Sequence, residues 1–174
     1  LGMSPGYTAY LDKLREAGLE PLRVEHAAEM VDVLSDPSLY SVTGGEPPTL
    51  GQLEARYARQ VLGRSDDGIE TWHNWIVRER ATGEAAGFGQ ATVTSNGSGV
   101  CAELAWVIGT PWQGRGIASE AAAALVTAMT EAGATKVVAH IAPGHSASER
   151  VAARIGLRRT DVVVDGETRW SSRH

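Results

Sequence analysis

The feature that most constrains this chain is the stretch of residues 101–131, CAELAWVIGTPWQGRGIASEAAAALVTAMTE. There an apolar strand pattern leads into a glycine-bearing loop and then into an alanine-rich helix pattern that stops at Gly133. A second apolar run, KVVAHI, follows at 136–141, so we predict a β-α-β unit with parallel strands and a right-handed crossover. The first N–H groups of the helix lack partners within it and form the positive end of its dipole, which predicts an anion site at the loop.

The segments around this unit predict a single sheet with helices on both faces. The predicted strands cover residues 19–24, 72–80, 84–94, 100–108, 136–141, 157–164 and 168–171. The predicted helices cover residues 7–17, 25–34, 50–62, 116–131 and 146–155. Short turns join the three strands between 72 and 108, so we expect an antiparallel meander ahead of the parallel unit. The expected fold class is α+β, with mixed α/β character and about seven mostly antiparallel strands.

Length and composition narrow the class of protein. The 174 residues, 43% of them hydrophobic, predict one domain over residues 3–174, and we take Leu1-Gly2 ahead of Met3 as a remnant of expression. No apolar run is long enough to span a membrane and no secretion signal opens the chain, so we expect a cytoplasmic protein with no membrane partner. One cysteine, Cys101, excludes an internal disulfide, and the histidines lack metal-ligand spacing, so no metal is expected. The net charge of −5 argues against a nucleic-acid partner.

The residues of the loop exclude two common phosphate motifs. A dinucleotide fingerprint would need glycine where Ser119 stands, and no Gly-Lys-Ser/Thr sequence follows. The pattern from Gln113 to Ala118 is Gln-x-x-Gly-x-Ala, preceded by the strand ELAWVI and followed by Pro-x-His-x-x-Ser at 143–148 and by RVAARIGL. With these motifs, residues 19–170 resemble the GNAT superfamily of acetyl-CoA-dependent N-acetyltransferases, and most of all the branch of the ribosomal-protein N-terminal acetyltransferases.

The resemblance implies a three-layer fold and acetyl-CoA as the cofactor. In that family the backbone amides of the loop bind the CoA pyrophosphate, which implies this role for Gln113, Gly114, Arg115, Gly116, Ile117, Ala118 and Ser119. Arg115 would add a charge-assisted contact to a phosphate. The strand ahead of the loop, at Trp106, Val107 and Ile108, would separate from its parallel neighbour and pair with the pantetheine amides. For the loop, the alternative is a solvated connection that only joins a strand to a helix; for the strand, the alternative is ordinary pairing with no gap.

An amine attacks a thioester only when it is neutral, and an alkyl ammonium has a pKa near 10, so the site needs a base. The candidate is Glu103, because members of the superfamily often place a catalytic glutamate on this strand. Strand alternation places Glu103, Ala105 and Val107 on one side, and both sides look apolar, so we expect a partly buried carboxylate. The alternatives are a glutamate at an exposed strand end, or one paired with an arginine for structure.

The departing thiolate has a candidate proton donor in Ser148. Many relatives use a tyrosine on this second helix, and the matching position here is Ala152. Ser148 is the replacement implied by the resemblance, although it is equally suited to be the N-cap of the helix. His145 stands where relatives commonly have an asparagine that contacts the cofactor, so we expect His145 to bind the cofactor too; the alternatives are that it shuttles protons or only caps the helix. Near the acceptor cleft, Trp75 is expected in the core and Trp72 is left open between the core and an amine contact.

These features predict an N-acetyltransferase that moves an acetyl group from acetyl-CoA to a primary amine by direct attack in a ternary complex. The acceptor is a small-molecule or peptide amine, and the sequence does not distinguish protein N-termini, aminoglycosides, polyamines and amino-acid derivatives. The alternative is a non-catalytic acyl-CoA-binding or sensing module. Dimers are common in the family, so the resemblance also allows a homodimer.

Overall fold

A computed structural model of the protein describes residues 5–172. The helices are α1 (Pro5–Glu16), α2 (Ala27–Val33), α3 (Leu50–Gln60), α4 (Ile117–Glu131) and α5 (Ser146–Arg154). The strands are β1 (Leu19–Pro21), β2 (Glu70–Arg78), β3 (Ala85–Asn96), β4 (Gly99–Ile108), β5 (Lys136–Ile141), β6 (Arg158–Val164) and β7 (Glu167–Ser171). None of the helices in this described part is long and apolar enough to cross a membrane.

The seven strands form one sheet in the order β1-β2-β3-β4-β5-β7-β6. Every neighbouring pair is antiparallel except β4 and β5, which are parallel and joined through α4. The predicted α+β class, the strand number and the β-α-β unit are therefore confirmed. The terminal hairpin inserts its second strand, β7, next to β5, an order that the sequence pattern did not specify.

Two apolar cores on opposite faces of the sheet make the fold three-layered. One core joins α1, α4 and α5 to the sheet and contains the fully buried Leu125 of α4 and Ala152 of α5. The other core joins α2 and α3 to the opposite face through Met30, Leu53 and Ile76. The five helices thus cover both faces, as expected.

Several predicted boundaries were wrong by a few residues, around the first strand and at the end of α3. The strand expected to reach residue 24 ends at Pro21, because the Arg23 N–H donates to His26 Nδ1 at 2.9 Å and a 3-10 turn over Val24–His26 begins there. That turn also delays the start of α2 to Ala27. Helix α3 ends at Gln60, two residues earlier than expected, and the left-handed Gly63 (φ 76°) follows it.

Candidate active site

The parallel strands β4 and β5 separate partway along their length. Their pairing covers Cys101 to Leu104 opposite Lys136 to Ala139 and stops there. Strand β4 continues to Ile108, paired with β3 alone. The C-terminal half of β4 therefore has an open edge inside the sheet, which we call the gap. Open backbone groups in a sheet need a partner such as water or a ligand.

Two hydrogen bonds show which backbone groups face the gap. The Thr135 N–H donates to the Val100 carbonyl on the β5 side (2.8 Å), and the Gly109 N–H donates to the Ala86 carbonyl on the β3 side (2.7 Å). Because backbone groups alternate along a strand, even-numbered residues of β4 face β5 or the gap, and odd-numbered residues face β3. Trp106 and Ile108 thus face the gap with their backbone groups, whereas those of Val107 are directed to β3.

The end of the gap is closed by a side chain of the loop. Gln113 Nε2 donates to the Ile108 carbonyl at 2.9 Å, so Gln113 fastens the loop to the end of β4. Because that carbonyl already has one donor, the gap-facing groups that lack a partner within the described residues 5–172 are the N–H of Ile108 and both backbone groups of Trp106.

The loop exposes a row of unpaired N–H groups. Gly114 and Gly116 adopt left-handed conformations, with φ of 77° and 78°. Gly116 is the N-cap of α4 and offers no side-chain acceptor, and the first bond inside the helix runs from the Glu120 N–H to the Gly116 carbonyl at 3.0 Å. Within residues 5–172, none of the N–H groups from Gly114 to Ser119 has a hydrogen-bond partner. These groups, at the positive end of a 15-residue helix, are suited to bind a phosphate.

Arg115, the cation of this loop, is already paired with a carboxylate of the protein. Arg115 Nη1 donates to Glu79 Oε2 at 2.7 Å, and the Glu79 side chain is only 15% exposed. Arg80 and Glu120 form a second ion pair beside it, at 2.6 Å. The predicted phosphate contact of Arg115 therefore has to use its remaining N–H groups or displace Glu79.

Glu103 lies on the predicted strand but not in the predicted environment. Its side chain is 49% exposed, so the expectation of a partly buried carboxylate was wrong. The reason is that α2 and α3, which cover this face of the sheet, pack over β2 and β3 and leave this part of β4 open. Cys101, on the same face, is half-buried, and burial raises the pKa of its thiol, in keeping with a strand residue and not a nucleophile.

Glu103 is held by two residues that sequence reasoning did not place at the site. His140 Nδ1 lies 2.8 Å from Glu103 Oε1, and Arg169 Nε donates to His140 Nε2 at 3.1 Å. A guanidinium only donates, so Nε2 is the accepting nitrogen of a neutral ring, and Nδ1–H donates to Glu103. The KVVAHI pattern could have indicated this role for His140, because strand alternation places His140 on the face opposite Val137 and Ala139, which are buried.

Ser148 and His145 lie together at the start of α5. His145 is the N-cap, and its Nδ1 accepts from the Ser148 backbone N–H at 3.3 Å. The alternative in which Ser148 caps the helix is therefore wrong. A neutral ring that accepts at Nδ1 carries its proton at Nε2, which lies 3.4 Å from Ser148 Oγ. That bond leaves the hydroxyl proton of Ser148 free to donate elsewhere.

Trp75, His73 and Trp72 make contacts within the protein. Trp75 is 2% exposed, as predicted, and stacks with His73 at 6.2 Å between ring centroids. The Arg59 guanidinium carbon lies over the Trp72 ring, 5.1 Å from the ring centroid, so the protein itself already supplies a cation–π partner for that ring. His26 is buried, and His174 lies outside the described residues. Residues 5–172 contain no group of three or more His, Cys, Asp or Glu side chains that could hold a metal ion.

A polar cleft lies on the same face of the sheet as Glu103. It runs between α3 and the sheet, and its polar lining consists of Arg56, Tyr57, Gln60, Asn74 and Gln90. Asn74 pairs with Gln90 in the sheet register, and Gln90 pairs with Ala105 of β4. Ala105, beside the gap, therefore lies two strands across the sheet from Asn74.

Taken together, the gap and the loop fit a ligand with amide groups along its length and a phosphate at one end. The gap-facing groups of Trp106 and Ile108 match the amides, and the unpaired N–H groups of residues 114–119 match the phosphate. Such a ligand defines an acyl-CoA-dependent transferase as the class of protein.

The comparison with protein families identifies the family within that class. Residues 17–158 match the family described as "Acetyltransferase (GNAT) domain", so the chain belongs to the GNAT acetyltransferases. It is an enzyme of that family, and its cofactor is acetyl-CoA. The search of curated proteins found no match.

Solved structures share the fold at low sequence identity. Aminoglycoside acetyltransferase AAC(6')-Ib in complex with coenzyme A is 19% identical, with a TM-score of 0.71 over 88% of this chain and 92% of that one. A putative ribosomal-protein-serine acetyltransferase from Vibrio cholerae is 18% identical, with a TM-score of 0.68 over 88% and 91%. The microcin C7 self-immunity acetyltransferase MccE, in complex with acetyl-CoA and AMP, is 12% identical, with a TM-score of 0.68 over 88% and 89%.

Proposed function

We propose that this protein transfers an acetyl group from acetyl-CoA to the primary amine of a small molecule or peptide, by direct attack in a ternary complex. The observation that supports the proposal is the gap, an open strand edge that lies between the loop of residues 113–119 and Glu103. The cofactor supplies an acetyl thioester. The amine nitrogen forms a C–N bond as the C–S bond breaks, and one proton has to leave the nitrogen while one reaches the sulfur.

Glu103 is the proposed base for the amine. His140 donates to one carboxylate oxygen, so the second oxygen stays available for the proton of the amine. Arg169 fixes the tautomer of His140 and keeps that ring a donor toward Glu103. His140 is thus a positioning residue, and the pair holds an otherwise exposed carboxylate in one orientation.

Ser148 is the proposed acid for the sulfur. His145 Nε2–H donates to Ser148 Oγ, which directs the hydroxyl proton away from the ring. The N–H group of Trp106, which faces the gap nearer to Glu103, is the proposed donor to the thioester carbonyl, and the Trp106 carbonyl and the Ile108 N–H are the proposed partners of the pantetheine amides. His145 stays a proposed cofactor contact, and so do the loop residues from Gln113 to Ser119.

The first test is Glu103→Gln with Glu84→Gln as its control, because Glu84 is an exposed glutamate without an ion pair. We expect Glu103→Gln to lower kcat/KM about 100-fold, the lower end of general-base effects, and Glu84→Gln to leave it unchanged. CoA release over a panel of amines, followed from pH 6 to 10, measures both. Full activity of Glu103→Gln at every pH would remove Glu103 from the mechanism.

His140 variants separate positioning from a structural role in the same assay. His140→Phe removes the donor to Glu103 and should lower kcat about tenfold with the acceptor KM unchanged, whereas His140→Gln should recover part of kcat. Equal kcat in both variants at an unchanged melting temperature would contradict the positioning role. Tight acetyl-CoA binding without turnover of any amine would instead favour the non-catalytic sensing module.

A further inference from the structure

The open face of the sheet around Glu103 also carries two cations that have no ionic partner. Lys136 pairs with Cys101 in the register of β4 and β5, and Arg169 pairs with His140 in the register of β5 and β7. Because paired residues point to the same face of a sheet, both cations lie on the face of Glu103. Within residues 5–172, neither Lys136 nor Arg169 forms an ion pair.

Arg169 uses only part of its guanidinium inside the protein. Its Nε donates to His140 Nε2 at 3.1 Å, and its two Nη groups have no hydrogen-bond partner in the part of the chain that the structure describes. A guanidinium presents its donors as a planar fork that matches two oxygens of a carboxylate or a phosphate. The side chain is partly exposed and its Nε is held by His140, so the fork is accessible to an anion.

The charges on this face fit a ligand that carries both signs. Burial raises the pKa of the Cys101 thiol, and the charges of Lys136, Glu103 and Arg169 act on it as well, so all three lie around this thiol. Glu167, two residues from Arg169 on β7, forms no ion pair with it within the described residues. One carboxylate beside two cations attracts a ligand with one ammonium and one anion. A polyamine or an aminoglycoside would bring further ammonium groups close to the two cations.

We propose that the acceptor is a small molecule with a primary amine at one end and an anionic group, a carboxylate or a phosphate, at the other. The amine lies against the free oxygen of Glu103, the anion binds the Nη groups of Arg169, and Lys136 adds positive charge nearby. This inference rests on the proposed function and names the substrate class of the same site. Arg169 is then a specificity residue in addition to the residue that orients His140.

The His140 ring sets the separation between the amine and the anion. Glu103 Oε1 lies 2.8 Å from one ring nitrogen, and Arg169 Nε lies 3.1 Å from the other. The amine and the anion must therefore lie farther apart than in an α-amino acid, where a single carbon joins them. At about 1.5 Å per C–C bond, roughly three to five methylene groups span this separation. The expected acceptors thus include γ-aminobutyrate and ε-aminocaproate, but not glycine.

The first test compares acceptors that differ in charge, by CoA release with saturating acetyl-CoA. We expect kcat/KM for γ-aminobutyrate to be at least about tenfold above that for γ-aminobutyramide or putrescine, because only the carboxylate gains charge-assisted bonds to Arg169. Glycine should react as poorly as the amide. The advantage of the acid should shrink with added salt. Aminopropyl phosphate, measured against γ-aminobutyrate, distinguishes a phosphate from a carboxylate as the preferred anion.

Arg169→Gln separates recognition of the anion from the orientation of His140. A disturbed His140 lowers kcat for both acceptors alike, whereas loss of the fork raises the KM of γ-aminobutyrate alone, by about tenfold. The tenfold preference over the amide should therefore disappear. The matched control is Arg159→Gln, an exposed arginine that pairs with Trp170 and so lies on the opposite face, and it should keep the preference. Lys136→Gln, which leaves His140 untouched, should lower the preference about two- to threefold.

The outcomes separate this inference from the function on which it rests. If acetyl-CoA does not raise the melting temperature, the proposed function fails. If acetyl-CoA does raise it but the amide, putrescine or trialanine amide is preferred, or no acceptor of the series reacts, the anionic acceptor fails alone. It also fails if the preference for γ-aminobutyrate survives in both Arg169→Gln and Lys136→Gln. The second variant decides the question if the first one lowers the melting temperature.

Discussion

The two halves of β4 belong to one continuous strand but differ in how many of their edges are paired. Residues 101–104 pair with β3 on one edge and with β5 on the other, whereas residues 105–108 pair with β3 alone. The first half carries Ala102 and Leu104, both buried in the core under α4. The closed half thus anchors the strand, and the open half offers its edge to a ligand without leaving the sheet. A binding edge can be rigid when its own strand continues into a packed core.

The largest expected effect is that of the cofactor, which should pair with the open edge of residues 105–108. Acetyl-CoA at about 100 times its dissociation constant should raise the free energy of unfolding by about 2.7 kcal/mol. In hydrogen exchange over the first minutes, the amides of Trp106 and Ile108 should change from fast to slow. The amides of Ala102 and Leu104 should be slow with and without the cofactor. Fast exchange at Ala102, or no change at Trp106 and Ile108, would contradict the difference between the halves.

A glycine on β3 tests how closely the open half is held. A Cβ on Gly87 would collide with the Val107 carbonyl oxygen and press on Ile108 from 3.0 Å. Gly87→Ala should therefore lower the free energy of unfolding by about 1–3 kcal/mol, the range for overpacking, and reduce the melting shift that acetyl-CoA produces. Thermal unfolding with and without the cofactor measures both effects.

The control for that variant is Gly97→Ala in the β3–β4 turn, where a Cβ would meet no atom within 4 Å. It should leave both the stability and the cofactor shift unchanged. Equal losses of stability and of cofactor shift in the two variants would show that the open half is no more sensitive to an added methyl group than the turn is.

The fold and the loop were predictable because both depend on local pattern. Alternation placed Glu103 and Val107 on one face of β4, and the helix pattern placed the anion site at its N-terminus, without knowledge of any distant contact. Burial was not predictable for Glu103, because it depends on how far α2 and α3 extend over the sheet. That extent is a tertiary property, and here the two helices pack mainly over β2 and β3 and leave Glu103 exposed.

The residues that the sequence did not reveal are those joined by strand order. His140 meets Arg169 only because β7, and not β6, lies beside β5, and both strands of that hairpin have similar patterns. Tyr57 is buried on the inner face of its helix, and the sequence pattern does not show whether a buried hydroxyl has a partner. Both cases depend on register and side-chain geometry, which a single sequence does not encode locally.

The smallest expected effect concerns the loop at the phosphate end of the open half. Glu79→Gln neutralises the partner of Arg115 and releases its guanidinium, so CoA should bind about two- to fivefold more tightly, the range for an ion pair near the surface. The gain should shrink with added salt, because a released cation acts through screened charge. Glu84→Gln, on the same hairpin but at a residue that does not pair with Arg115, should leave the dissociation constant unchanged. Weaker binding in Glu79→Gln would mean that Glu79 orients Arg115 for the phosphate and does not compete with it.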